Sequence, residues 1–320
     1  KKVMHTQKSL CATAMTAGPI YGALGPHDSV LVPMAPSFAA WIHTVLPLLV
    51  QRCRIVFQRR FDAAGYADLL ERERISIAAL VPTLWRMVLP GIAGRDLPAL
   101  RVGMFSGEPG TPELVDALVA RLPLVRSVYL ASEGGCGCGI VASESDLSRP
   151  GNAGAAGQPV PGGDAMIIDP DAADFRPLPP GEVGEIALAG PSLSCGYRGE
   201  PELTARRFSN GWWRSSDHGR IDAAGLLHVS GRLDNRINSG GIKVHAEEIE
   251  AAILRLAMVR SAAVVGVPDP QWGERIEAHV TLAGAGTAED VAAAFAAATA
   301  LPRALHPERF HIHDSLPTGP

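Results

Sequence analysis

Cysteine is scarce and odd in number: Cys11, Cys53, Cys136, Cys138 and Cys195 are all that 320 residues carry. A scattered odd set argues against a disulfide framework and reads as reduced thiols in a cytoplasm. Cys136-Gly137-Cys138 has no second pair and no histidine at ligand spacing, so it reads as small residues lining a wall, not as a zinc or redox centre. A charge excess is also missing. The 29 Lys+Arg against 33 Asp+Glu leave a formal net charge of −4, no electrostatic footprint for nucleic acid or an anionic membrane. Long apolar runs are absent: Val45 to Val50, the nearest, falls far short of the ~20 residues a membrane span needs. No signal-peptide pattern is visible. What is present is a 47% hydrophobic content with 19% charge, ample for a core and too apolar for disorder. The length fits one large or two moderate domains. The ends, Lys1-Lys2-Val3-Met4-His5 and Leu316-Pro317-Thr318-Gly319-Pro320, read as those of a fragment.

From Ser29 to Leu130 short apolar runs alternate with helical patterns. Val30 to Met34, Arg54 to Phe57, Ile77 to Val81, Val102 to Phe105 and Val125 to Leu130 read as buried strands. Phe38 to Val50, Ala63 to Glu73, Thr83 to Leu89 and Pro112 to Leu122 read as helices, the last opened by Thr111-Pro112-Glu113, a hydroxyl cap followed by proline and an acid. This alternation predicts an α/β layered, mostly parallel sheet. Between Ser148 and Pro180, Gly, Pro, Ala and Asp dominate, which predicts loops and short antiparallel strands. Gly184 to Gly190 and Leu226 to Ser230 read as strands of a small barrel-like β region. After Asp234 a small α+β unit like a split βαβ is expected. Its helices are Ala246 to Leu256 and Ala288 to Ala300, and its strands Ser261 to Val267, Ile276 to Leu282 and Arg309 to His313.

Three places carry chemistry. Ser106-Gly107-Glu108-Pro109-Gly110 joins a strand end to a capped helix, where α/β sheets bind ligands; taken alone, this loop is better explained as an ordinary βα turn. Tyr129-Leu130-Ala131-Ser132-Glu133 ends the next strand and puts a hydroxyl beside a carboxylate, with Gly134 and Gly135 after them. A carboxylate beside phosphates suits Mg²⁺; the alternative is a polar turn with Glu133 solvated. The third place combines Ser215-Ser216-Asp217-His218-Gly219-Arg220 with the run Gly231 to Val244, where acids, arginines and the diglycine Gly240-Gly241 converge without apolar periodicity. Asp217, read as lying at the end of a strand after Trp212-Trp213-Arg214, suits two vicinal hydroxyls. Arg232 suits a phosphate or ribose oxygen. The ten histidines, His5, His43 and His311 among them, show no catalytic spacing and read as structural or surface residues.

These residues, in this order, resemble the adenylate-forming superfamily of acyl- and aryl-CoA synthetases, firefly luciferases and peptide-synthetase adenylation domains. Val3-Met4-His5-Thr6 is similar to the segment after that family's phosphate loop, Gly107-Glu108-Pro109 to its adenine loop, and Tyr129 to Glu133 to its Tyr-Gly-x-Thr-Glu element, from which Leu130 and Ser132 depart. Gly181 to Ile186, Gly196-Tyr197, Pro201 to Thr204, Asp217-x-Gly219-Arg220, Gly231-Arg232-x-Asp234, Ile237 to Gly241 and Glu247 to Glu250 follow its later elements.

The resemblance implies a two-step acid–thiol ligase. A carboxylate attacks Mg·ATP to give an acyl-adenylate and pyrophosphate, and coenzyme A then displaces AMP. By position, Tyr129 would stack on adenine with Gly107, Glu108 and Pro109 along its edge. Ser132 would contact phosphate, Glu133 would hold Mg²⁺, Asp217 would bind the ribose hydroxyls and Arg232 the ribose or phosphate. Asp234 would be the hinge between the end of a large AMP-binding domain (1–233) and a small mobile domain (234–320), while Gly240 and Gly241 would border the pantetheine arm. The implied partners are a carboxylic acid, ATP and coenzyme A, with a homodimer as the candidate assembly and no nucleic acid or membrane span. The family's phosphate loop and adenylation lysine would fall before Lys1 and after Pro320, so this chain alone is expected to adenylate hardly at all. Pro33-Met34-Ala35-Pro36 stands where many members carry an aromatic and a histidine, which leaves the acid open. A peptide-synthetase domain and a non-catalytic nucleotide- or protein-binding remnant are the alternatives.

Overall fold

A computed structural model describes residues 2–172, 174–239, 242–270 and 273–317, without the side chains of Asp234, Arg236, Ile242 and Lys243. Two compact units emerge: Lys1–Ser215 with Gly219–Val229, and Ser216–His218 with Ser230–Pro320.

In the first unit, α1 (Gln7–Met15) and α2 (Gly18–Tyr21) precede β1 (Ser29–Val32). Strand and helix then alternate through α3 (Ala39–Val50), β2 (Arg54–Phe57), α4 (Ala63–Arg72), β3 (Ile77–Leu80), α5 (Pro82–Ile92), β4 (Val102–Ser106), α6 (Pro112–Val119) and β5 (Leu124–Tyr129). With β6 (Ile140–Ser143), α7 (Glu144–Leu147) and β7 (Gln158–Pro159) added, the sheet has seven strands in the order β2-β1-β3-β4-β5-β6-β7. The ladders from β2 to β5 are parallel and the last two antiparallel, so the α/β sheet is mixed.

Strand periodicity explains the two layers. Leu31, Ala78, Leu80 and Phe105 face α4, α5 and α6 in one core with Tyr66, Trp85 and Leu118. Their neighbours Val30, Val32, Ile77, Ala79 and Met104 face Ile20, Tyr21 and Leu48 of α2 and α3 in another. Successive side chains alternate faces, so a strand buried on both sides must be apolar throughout. β1 and β3 are buried at every residue. The α6 cap forms as expected: the Thr111 hydroxyl accepts from Leu114 N, Pro112 opens the helix and Glu113 lies in its first turn.

A second sheet contains β8 (Asp164–Ile168), β9 (Gly184–Ala189), β10 (Phe208–Ser209), β11 (Trp212–Ile221) and β12 (Leu227–Arg232), with α8 (Pro201–Arg207) between β9 and β10. Its order is β10-β11-β9-β8, with β12 also on β11, and it does not close into a barrel. β10 is two residues long, too little ladder to carry the sheet round to β8. Asn210 and Gly211 both have positive φ, as a tight β10–β11 hairpin requires.

The second unit pairs β13 (Arg236–Ser239) with β14 (Ile242–His245), followed by α9 (Ala246–Ile253), β15 (Val259–Asp269), β16 (Gly273–Leu282), α10 (Ala288–Ala298) and β17 (Arg309–Ile312). β15 and β16 are antiparallel; β17 returns after α10 to lie parallel on β16, the crossover that parallel pairing demands. Ile249, Ile253, Val264, Ala278, Val280 and Phe295 lie in its core. No helix among the described residues is long and apolar enough to cross a membrane.

Candidate active site

β4 and β5 are adjacent and parallel, with Ser106 opposite Val128, so the loops leaving their C-terminal ends come out side by side. The first loop carries exposed Gly107, Glu108 and Pro109. Gly107 has a φ of 86°, a left-handed conformation that favours glycine. Gly110 is needed for a different reason: a Cβ there would sit 2.7 Å from the Ala153 carbonyl and 2.8 Å from the Phe105 ring. Thr83, in the first turn of α5, donates its hydroxyl to both Glu108 oxygens at 3.0 and 3.2 Å.

The second loop holds a buried carboxylate. Tyr129 is half-buried at the end of β5, Ser132 is exposed, and Glu133 is 8% exposed. The Tyr197 hydroxyl donates to Glu133 Oε1 at 2.8 Å and itself accepts from Trp213 Nε1 at 3.1 Å. Burial, with the Glu133 contact adding to it, pushes the Tyr197 phenol well above its ordinary range, so it remains a donor. Ser194 N donates to the Glu133 carbonyl at 2.8 Å. Sequence reasoning assigned Tyr197 and Trp213 no part in this site; here they orient Glu133.

His5 was also missed. Its Nε2 lies 2.7 Å from the Ser132 carbonyl, which can only accept, so Nε2 carries the proton; Nδ1 meets Ser9 Oγ at 3.0 Å. The backbone on either side is tied down, with Met4 N donating to Gly196 O and Cys195 N to Met4 O. Cys136 and Cys138 are buried, and burial pushes their thiols up to about 12 and about 11, which removes thiolate chemistry.

Taken together, these loops offer a planar ring, backbone without bulk and hard oxygen donors. A carboxylate held at one oxygen by a phenol, beside an exposed hydroxyl, fits Mg²⁺, which takes one or two carboxylates with phosphates and water.

In the second unit Asp217 and Arg232 meet: Arg232 Nη1 donates to Asp217 Oδ1 at 3.2 Å. Asp217 does not end a strand as the sequence reading had it. β11 continues to Ile221, and Ser216, at a φ of 64°, interrupts the regular strand conformation just before Asp217. Glu247 of α9 fixes the segment around Arg232, accepting from Arg232 N at 3.4 Å and from Asn235 Nδ2 at 2.9 Å. A Cβ on Gly231 would lie 2.5 Å from a Glu247 oxygen. The side chain of Asp234, and Gly240 and Gly241 entirely, lie outside the described residues.

The family model of the AMP-binding enzymes matches residues 1–198. The chain belongs to this family. The model of the AMP-binding enzyme C-terminal domain matches residues 248–319, so Asp217, Arg232, Asp234, Gly240 and Gly241 fall between the two matched stretches, while the β4 and β5 loops lie inside the first. Among curated relatives, a feruloyl-CoA synthase of Amycolatopsis sp is 32% identical over 75% of this chain and 48% of its own length. A long-chain-fatty-acid–CoA ligase of Mycobacterium tuberculosis is 29% identical over 100% of the chain and 62% of its own length. An amide bond synthetase from Marinactinospora thermotolerans has a similar structure, with a TM-score of 0.86 and 28% identity over 99% of this chain and 64% of that one. The chain thus spans less than two thirds of the length of these AMP-binding enzymes.

Proposed function

We propose that this chain is part of an AMP-forming acid–thiol ligase that activates a carboxylic acid with Mg·ATP and passes the acyl group to coenzyme A. The observation that carries this reading is the buried Glu133 carboxylate, oriented by Tyr197 at the end of β5 in a chain of the AMP-binding family. Tyr129 stacks on adenine, and Gly107, Glu108 and Pro109 follow its edge. Ser132 contacts phosphate, and Glu133 holds Mg²⁺, which supplies charge neutralisation at the phosphates when bound. Asp217 takes the ribose hydroxyls and Arg232 the ribose or a phosphate. Asp234 is the hinge between residues 1–233 and a mobile 234–320. Gly240 and Gly241 line the path of the pantetheine arm. The free cysteines suit a reducing compartment such as the cytoplasm, and a homodimer is the assembly to test by light scattering.

A second acceptor has support in the likeness to an amide bond synthetase, which favours an amine in place of the thiol. One experiment separates the two. A carboxylic-acid panel is incubated with ATP and either coenzyme A or amines, using a protein that spans the full length of the relatives, and AMP release is followed. Thioester formation with coenzyme A is the expected result; AMP release only with amines replaces the thiol by an amine, and no AMP release with any acid overturns the ligase reading.

A further inference from the structure

The second unit contains a side-chain cluster that the ligase reading leaves unused. β16 and β17 run parallel with His279 opposite His311 and Glu277 opposite Arg309. Residues two apart on a strand share a face, so Glu277 and His279 stand together on β16, and His311 on β17 with His313 just beyond it. One ligand atom from each of Glu277, His279 and His311 lies within 4.8 Å of the others. His311 Nε2 is 2.9 Å from Glu277 Oε2, and His279 Nδ1 is 2.9 Å from His313 Nε2. The His279 and His311 rings stack with centroids 4.8 Å apart and 17° between planes. Imidazoles this close repel one another when protonated.

We propose that Glu277, His279 and His311 form a binding site for a borderline divalent transition metal of the Zn²⁺ class, clipping β17 to β16. Neutral imidazole and carboxylate are the donors such ions take. The carboxylate is already oriented: Arg275 Nε donates to Glu277 Oε1 at 2.8 Å, which turns Oε2 toward His311. An outer partner of this kind is what a ligating carboxylate ordinarily has. Bonds of about 2.0–2.1 Å put tetrahedral ligand atoms roughly 3.3 Å apart. The Glu277–His311 pair is near that spacing, and the His279 ligand atom, within 4.8 Å of the other two, has to move closer to complete it. The fourth position falls to water or to His313. The competing account is a metal-free seam, with Glu277 shared by Arg275 and His311, and His279 bonded to His313.

Zn²⁺ titration of the whole chain against a chromophoric chelator separates these accounts, with Co²⁺ absorption as the reporter of geometry. The expected result is one saturable equivalent, tetrahedral Co²⁺ bands, and a melting midpoint that Zn²⁺ raises and chelator lowers again. His279→Gln and His311→Gln each weaken Zn²⁺ binding by about 100-fold, whereas His27→Gln, at an exposed position of the first unit, leaves it unchanged. Circular dichroism confirms folding of each variant, and His313→Gln gives a milder change at an exposed position if one of the others fails to fold. Absence of saturable Zn²⁺ binding, or binding that survives both substitutions, overturns the site.

Discussion

Glu133 and Asp217 are two carboxylates assigned to one nucleotide, and their surroundings hold them in opposite ways. Glu133 is 8% exposed and accepts from Tyr197, which Trp213 fixes in turn. Asp217, whose side chain is 13% exposed, meets Arg232, whose side chain is 45% exposed. The first arrangement is part of the packing, so its geometry is set before any ligand arrives. The second is an ion pair whose arginine is exposed and whose carboxylate is half-buried, so the guanidinium can swing away into solvent when ligand hydroxyls approach. On the proposed roles, Glu133 is the preorganised carboxylate and Asp217 the adjustable one.

The largest effect is expected at Glu133. Glu133→Gln keeps the shape and removes the charge, and should weaken Mg²⁺-dependent ATP binding by about 100-fold, read by calorimetry with and without Mg²⁺. Tyr197→Phe should cost about 1–3 kcal/mol of stability and lower ATP affinity less than Glu133→Gln does. If neither stability nor affinity moves in Tyr197→Phe, buried anchoring is not what positions the carboxylate.

Next comes the Asp217–Arg232 pair. Asp217→Ala should weaken ATP binding about tenfold while changing stability by less than about 1 kcal/mol, measured by the same calorimetry and by urea unfolding. A stability loss as large as that of Tyr197→Phe would erase the contrast between the two carboxylates.

The smallest effects separate the units by pH. Burial pushes Asp28 upward, but hydrogen bonds from Arg101 and Ser76 outweigh it and hold the carboxyl below its usual range. Its contribution is therefore present above the ordinary carboxylate range and lost as pH falls through the depressed value. Asp28→Asn should destabilise the first unit by about 1 kcal/mol at neutral pH, a difference that closes in acid. Glu250 behaves in the reverse sense. Burial raises it despite the hydrogen bond from Val264 N, so its charge weakens the second unit at neutral pH and the penalty lifts as pH falls through the raised value. Glu250→Gln should be mildly stabilising at neutral pH and silent in acid. Denaturant midpoints across the pH range check both signs; a shared sign would show that hydrogen bonds do not outweigh burial at Asp28 while yielding to it at Glu250.

What the sequence determined alone is what local chemistry encodes. Arg54–Phe57 was legible as a strand with the bounds observed, but not as the buried one expected: it lies at the edge of the sheet with Arg54 and Phe57 exposed. The cap at Thr111 and Pro112 was legible because a hydroxyl, a proline and an acid each fit one position of a helix start. The β4 and β5 loops stood out only as a pair, since an ordinary turn accounts for either one by itself. α1 was not, since its buried residues are Ser9, Thr13 and Ala14, which make no apolar stripe.

Tertiary structure alone decided what those residues meet. Tyr197 orients Glu133 across 64 positions and His5 holds Ser132 across 127, contacts that only the packed chain brings within hydrogen-bond reach. β11 runs on to Ile221 despite the positive φ of Ser216, which puts an expected strand end in the strand's interior. The register of β16 on β17 set His279 beside His311. Propensity and spacing act over a few residues, whereas distance in space between remote residues is fixed by burying apolar surface on both faces of a sheet. A site's donors can therefore be read along the chain, and their partners only from the fold.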